Sequence, residues 1–352
     1  MVKKTSRHII LICIVVFFAA AGGAGSLALT SPRVSARAAR YFLNRNWQGG
    51  KVDSVTIARQ RWQAYRDFEL ADARVRLRYA KDVHELVIGR LAFRGLVPFI
   101  LGKDELEIEV KDSEWRSGQK RARGMTSTMK AEFLNRRFQR LNSEFKVSSL
   151  EVPPLMINDI KGSLAATDES LSAFPLTGGV YDGKFNARIF MEYKPGRPYS
   201  MDIILEEADL KQVGWLDGTF LKGAEGRCNA RVNIQGVGEE IRFMEADVNV
   251  VQKARVPAGL FKLIARYIPP SRERKRLELL MKKDGLVPLE KATLRMKSAG
   301  ERSLSGEAVL SSRQLNLNIT IPVDIRMDGD LSSLVRHYWK DVFEEILNQQ
   351  MR

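Results

Sequence analysis

The chain has 352 residues and a formal charge of +15, from 57 basic and 42 acidic side chains. Hydrophobic residues make up 44% of it, which excludes a disordered polyelectrolyte and permits one large or two ordinary domains. Two cysteines, Cys13 and Cys228, exclude a disulfide scaffold.

The N-terminus is basic ("MVKKTSR"), and Ile9 to Leu29 follows without a charge. At helical rise those 21 residues span about 30 Å, the thickness of a hydrocarbon core. Residues 1–30 therefore read as a transmembrane signal anchor. The small-residue stretch "GGAGSLAL" leaves a cleaved signal peptide as the other reading. The length of the run favours the anchor, and either reading exports the remainder. Export bears on the positive charge: an exported domain meets anionic lipid, not nucleic acid.

Residues 31–50 read as a basic linker helix, with Pro32 near its start. An N-terminal β region, 51–150, opens with "VDSVTIA", "DFELADARVRLRY" and "ELEIEVK", each alternating apolar and polar. Leu134, Phe138, Leu141 and Phe145 are spaced i, i+4, i+7, i+11, which predicts an amphipathic helix over 126–146. The interval 116–146 carries nine basic and two acidic residues. A second β region, 151–352, contains "GKFNARIFMEY", where Phe185, Ile189 and Met191 share a face opposite Lys184, Arg188 and Glu192. Gly178, Gly179 and Gly183 read as a turn that sets its register. The same alternation places Val232 and Ile234 on one face of "RCNARVNIQ", and Met244 and Val248 on one face of "MEADVNV". Gly236 and Gly238 mark the hairpin between those strands. "LFKLIARYI" (260–268) and "SRERKRLELLMKK" read as helices. The second is basic, with Arg272, Arg274, Lys275, Arg276, Lys282 and Lys283 available to an anionic membrane surface. The longest alternation is "LNLNITIPVDIRM", with Leu317, Ile319 and Ile321 on its apolar side. An amphipathic helix over 331–349 closes the chain.

About a dozen strands joined by tight turns predict a mainly β, antiparallel fold with a few helices. Its apolar face must be covered, either as a β-sandwich with a dry core or as a curled groove holding acyl chains. No catalytic constellation stands out. His8, His84 and His337 are far apart and lack metal-ligand spacing, and no nucleophile elbow, Walker loop or zinc motif occurs. The sequence calls for no enzyme activity, no cofactor and no metal.

A resemblance sharpens this. The anchor and basic helix, then "VDSVTIA" and "DFELADARVRL", then "FPLTGGVYDGKFNARIFMEY", "ADLKQV", "LKGAEGRCNARVNIQGVG" and "ADVNVVQKARVPAGLFKLI" resemble, in order, the AsmA-like family of Gram-negative envelope proteins, related to TamB. The resemblance covers the anchor and about residues 150–265. It implies a curled, taco-like β-groove behind an N-terminal transmembrane helix, single-pass in the inner membrane with the bulk of the chain in the periplasm. It further implies that phospholipid, or another anionic envelope lipid, is bound or transferred in support of outer-membrane assembly, alongside envelope protein partners. The alternative is a structural or assembly factor of the envelope with a dry sandwich core. The lipid-facing residues expected on the groove reading are Phe185, Ile189, Met191, Val232, Ile234, Met244, Val248, Leu317, Ile319 and Ile321.

Overall fold

A computed structural model of the chain describes residues 31–46, 50–63, 67–79, 82–134, 137–153, 155–193, 196–212, 223–238, 240–258, 272–282, 285–300, 303–314 and 316–326. The expected anchor (1–30), the helix at 260–268, the closing helix at 331–349 and Lys283 lie outside the described residues. Among the described residues no helix is long and apolar enough to cross a membrane.

Two compact units are present. The first holds helix α1 (Pro32–Asn46), strands β1 (Gly50–Gln63), β2 (Asp67–Tyr79) and β3 (Asp82–Arg94), a short helix α2 (Leu96–Ile100), then β4 (Glu105–Ser117), β5 (Lys120–Leu134), β6 (Arg137–Val152), β7 (Leu155–Thr167) and the start of β8 (Ser170–Val180). The second begins at Leu176, inside β8. It holds β9 (Gly183–Glu192), β10 (Pro198–Asp209), β11 (Glu225–Val237), β12 (Glu240–Pro257), helix α3 (Arg272–Lys282), β13 (Leu286–Leu289), β14 (Lys291–Ser298), β15 (Ser303–Ser312) and β16 (Leu317–Arg326).

The strands pair in chain order as one antiparallel sheet, with β13 off the path on β12. This bears out the mainly β, antiparallel expectation. Two finer expectations change. A sandwich needs two sheets, and the described strands form one. Nor is the sheet closed on itself by strand pairing: among the described residues β1 pairs with β2 alone and β16 with β15 alone.

The helix predicted over 126–146 is absent; β5 and β6 occupy that stretch as a hairpin. The reason is visible in the register. Glu132 pairs with Arg140 while Phe133 pairs with Phe138, so β6 carries one extra residue between Phe138 and Leu141. Leu141 to Phe145 is an ordinary even strand spacing. One insertion in an alternating strand thus imitates the helical spacing. Serines hide the alternation further: Ser127, opposite Phe145, and Ser143, opposite Met129, are diagonal neighbours on the apolar side with hydroxyls 2.8 Å apart, and Ser143 is buried.

Another break in the alternation crosses β2, β3 and β4 with their mutual register intact. Asp72 in β2 and Asp112 in β4 both have positive φ, 53° and 49°. The register places both opposite Gly89 of β3, between the pairs Arg90–Ala71 and Ile88–Ala73 on one side and Arg90–Lys111 and Ile88–Ser113 on the other. A Cβ on Gly89 would stand 2.8 Å from the Asp112 carbonyl oxygen. Across this seam the inward positions step by three instead of two: Leu70 to Ala73, Leu91 to Ile88, Val110 to Ser113. Asp tolerates the left-handed region better than most residues, so the seam is written in the sequence as acidic residues between apolar ones.

Below the seam lies the core of the first unit. Phe68, Leu70, Phe93, Leu106, Ile108, Ala131, Phe133 and Leu141 are buried together, with Leu96 of α2 among them. Phe99 of α2 packs its ring 4.8 Å from that of Phe133. So α2 covers one end of the apolar face. Helix α1 covers an edge: Val52 N–H donates to Asn44 Oδ1 at 2.7 Å, and Arg40 Nε donates to the Val52 carbonyl at 3.3 Å.

The glycines at 178–183 play a different part from the one expected. Gly178 and Gly179 lie within β8, and the turn residues are Tyr181 and Asp182, with φ of 51° and 55°. Positive φ at both central positions is the mark of a primed hairpin turn. Gly183 is needed for space: an added Cβ would lie 2.4 Å from the Glu206 carbonyl oxygen and 2.7 Å from the Ala208 nitrogen of β10. Gly183→Ala is therefore expected to destabilise the second unit by about 1–3 kcal/mol, the cost of overpacking against backbone. Amide hydrogen exchange over β9 and β10 checks it; protection equal to wild type overturns it.

Candidate functional site

The register of the second unit sorts its side chains into rows that cross the sheet. One row runs Phe185, Leu205, Ala230, Val248, Leu294, Ala308, Ile321, from β9 to β16. The next runs Ala187, Ile203, Val232, Ala246, Met296, Gly306, Val323. A third begins Ile189, Met201, Ile234, Met244. Met191 pairs with Tyr199, Ile319 with Leu310 and Leu317 with Ser312. All ten residues singled out from the sequence therefore stand at positions of one face. The complementary row, Arg188, Asp202, Asn233, Glu245, Lys297, Ser305, Asp324, is polar at every strand. Phe190, which breaks the alternation in the sequence, is opposite Ser200 on this polar side and 37% exposed.

The apolar face is packed at its ends and looser between them. Ile234, Ile241 and Leu304 are buried as one cluster, with Val232 and Met244 against it. Ala208, Leu210, Ala224, Cys228 and Ala254 form another, with Val248 against it. A third, Val256, Ala258, Val287 and Leu289, receives Ile319 and Met281. Met191 is buried, 6% exposed, whereas Phe185, Ile189, Val232, Met244, Val248 and Ile319 are half-buried. Leu317 and Ile321 are placed by register alone. Seven strands at about 4.8 Å give rows about 29 Å long, longer than the roughly 15 Å depth of one leaflet of a hydrocarbon core.

The polar face is held by cross-strand ion pairs. Arg231 reaches Asp202 at 3.2 Å, and Arg295 reaches Asp247 at 3.3 Å and Glu307 at 3.8 Å. A depression of about 470 Å³ is lined by Arg231, Asp247, Arg295 and Glu307, together with Glu245 and Lys297. Its charges alternate in sign and pair with one another. In the first unit Arg116 and Arg121 hydrogen-bond the Glu114 carboxylate and hold its pKa down at about 2. On the apolar side, burial pushes the Tyr181 phenol up to about 12 and raises the Cys228 thiol as well. None of these groups is arranged as a nucleophile with its base. Among the described residues no group of three potential ligands could hold a metal.

The basic helix predicted from "SRERKRLELLMKK" is present as α3. Arg272 and Lys275 are exposed on it, and Arg274 Nε donates to Glu278 Oε1 at 3.0 Å. For Arg276 and Lys282 only the helical position is described.

Sequence reasoning read the apolar sides of β1, β2 and β4 but missed that of β3. It includes His84, buried at 6% exposure and stacked on Trp115, ring centroids 6.2 Å apart. The signal was present in "DVHELVIGRLAFR", but apolar residues on both faces of β3 blur its alternation. No family model matches this chain, and no curated protein and no solved structure matches it either.

Proposed function

We propose that this chain is an inner-membrane-anchored periplasmic protein that binds or transfers phospholipid along the apolar face of β9–β16, in support of outer-membrane assembly. The observation that carries the reading is the row pattern. Seven strands paired in sequence present one apolar face and one polar face, and Phe185, Ile189, Val232, Met244, Val248 and Ile319 of the apolar face are only half-buried. Leaving aliphatic surface in water costs about 25 cal/mol per Å², so such a face calls for an occupant. Acyl chains match it: they are apolar, need no hydrogen-bond partners and conform to any row of Val, Ile, Leu and Met. The uncharged run at Ile9–Leu29 and the resemblance to AsmA-like envelope proteins supply the membrane side of the proposal.

Native mass spectrometry of the full chain, released from a mild detergent, tests it. The expected result is co-purified phospholipid that survives detergent exchange. A lipid-free, monodisperse chain overturns the reading and supports the structural alternative with a protein-covered face.

A further inference from the structure

Helix α3 stands at a rim of the apolar face. Met281 packs against Val256, Ala258, Val287 and Leu289, the cluster that also receives Ala292, Leu310 and Ile319. Arg274, Glu278 and Met281 are spaced i, i+4, i+7 and so share one side of the helix; the first two are ion-paired. A second stripe lies about 130° around the helix, made of Arg272, Lys275 and Leu279 at i, i+3, i+7. Arg272 and Lys275 are exposed, and Leu279 is 58% exposed. The helix carries five basic and two acidic residues.

We infer that this stripe is a docking surface for an anionic bilayer, which sets the Ile319 rim of the apolar face against the membrane. Two features select that occupant. The exposed cations share one side of the helix with an exposed leucine a turn further along, so that side offers charge to headgroups and an aliphatic group to the interface beneath them. And Met281 fixes the helix to the rim of the apolar face, so contact with a bilayer places that face beside the source of its lipid. An acidic protein would satisfy the cations without calling for an exposed leucine beside them. The inference rests on the lipid-binding reading above for its purpose, though its test is separate.

The experiment uses the full chain reconstituted into phosphatidylcholine vesicles with and without phosphatidylglycerol. A photo-crosslinking residue replaces Leu279, with a control at the exposed Arg188 on the polar face of the sheet. The probe at 279 is expected to label vesicle lipid, with labelling at least ~5-fold stronger when phosphatidylglycerol is present. The pair Arg272→Glu and Lys275→Glu should reduce it to the level of the probe at 188. Both residues are exposed, so the fold should persist, checked by circular dichroism. Equal labelling in both vesicles, no labelling at 279, or labelling of protein in place of lipid overturns the inference. Co-purified lipid is measured on the chain that carries the probe at 279 without charge reversal: if lipid co-purifies while the probe fails to label, the docking inference falls and the binding face stands, and if the probe labels while no lipid co-purifies, the binding face alone falls.

Discussion

Phe93→Ala is expected to lower the stability of the first unit by about 3–5 kcal/mol, the usual cost of removing a fully buried ring. Phe93 is 0% exposed. Its ring stacks on Phe68, centroids 6.4 Å apart, and its strand position lies between Phe68 and Ile108 in the register. The cavity cannot collapse cheaply, because the walls are paired strands whose spacing is fixed by their hydrogen bonds and an end held by α2. Leu134 provides the contrast. It belongs to the same hairpin as Phe133 but is 57% exposed, so Leu134→Ala should stay within about 0.5 kcal/mol. Amide exchange over β2–β5 in rising urea reads both. A loss below about 1 kcal/mol for Phe93→Ala would mean that this face is not a packed core.

How much of this was legible depended on whether alternation ran unbroken. In β11 and β16 it did, and the sequence located each strand and its apolar side. In β5 and β6 it did not, because Ser127 and Ser143 hold inward positions and an inserted residue shifts the parity between Phe138 and Leu141. Pattern reading counts residues, and an insertion is invisible to it unless the backbone conformation is known. The Asp–Gly seam breaks the alternation in another way, in three strands at once and with their mutual register intact. Asp72, Gly89 and Asp112 look like unrelated polar or small interruptions, and only the register shows them side by side. The same limit applied to Gly178 and Gly179, which read as a turn although the turn falls at Tyr181 and Asp182. The covering of the face was not legible at all. Periodicity shows which side of a strand is apolar, but which residues become fully buried depends on α2, β13 and α3 arriving from elsewhere in the chain.

Two substitutions in one row separate a lipid-covered face from a protein core. Ile189, Met201, Ile234 and Met244 are consecutive cross-strand neighbours. Ile234 is 7% exposed, packed with Ile241 and Leu304, whereas Ile189 is half-buried and outside that cluster. Ile234→Asp places a carboxylate among aliphatic side chains with no partner, at a cost of several kcal/mol, and should unfold the second unit. Ile189→Asp leaves its carboxylate in reach of water, so the unit should remain folded while losing its co-purified phospholipid. A photo-crosslinking residue at Ile189 should label phospholipid in cells, and the same probe at Arg188, one residue along and on the polar face, should not. Labelling at both positions or at neither, or an Ile189→Asp chain that unfolds as Ile234→Asp does, would return this row to an ordinary protein core. The two probes differ by one step of the pleat, about 3.4 Å along the strand, yet face opposite sides of the sheet, so contrast between them measures which side of β9 meets lipid.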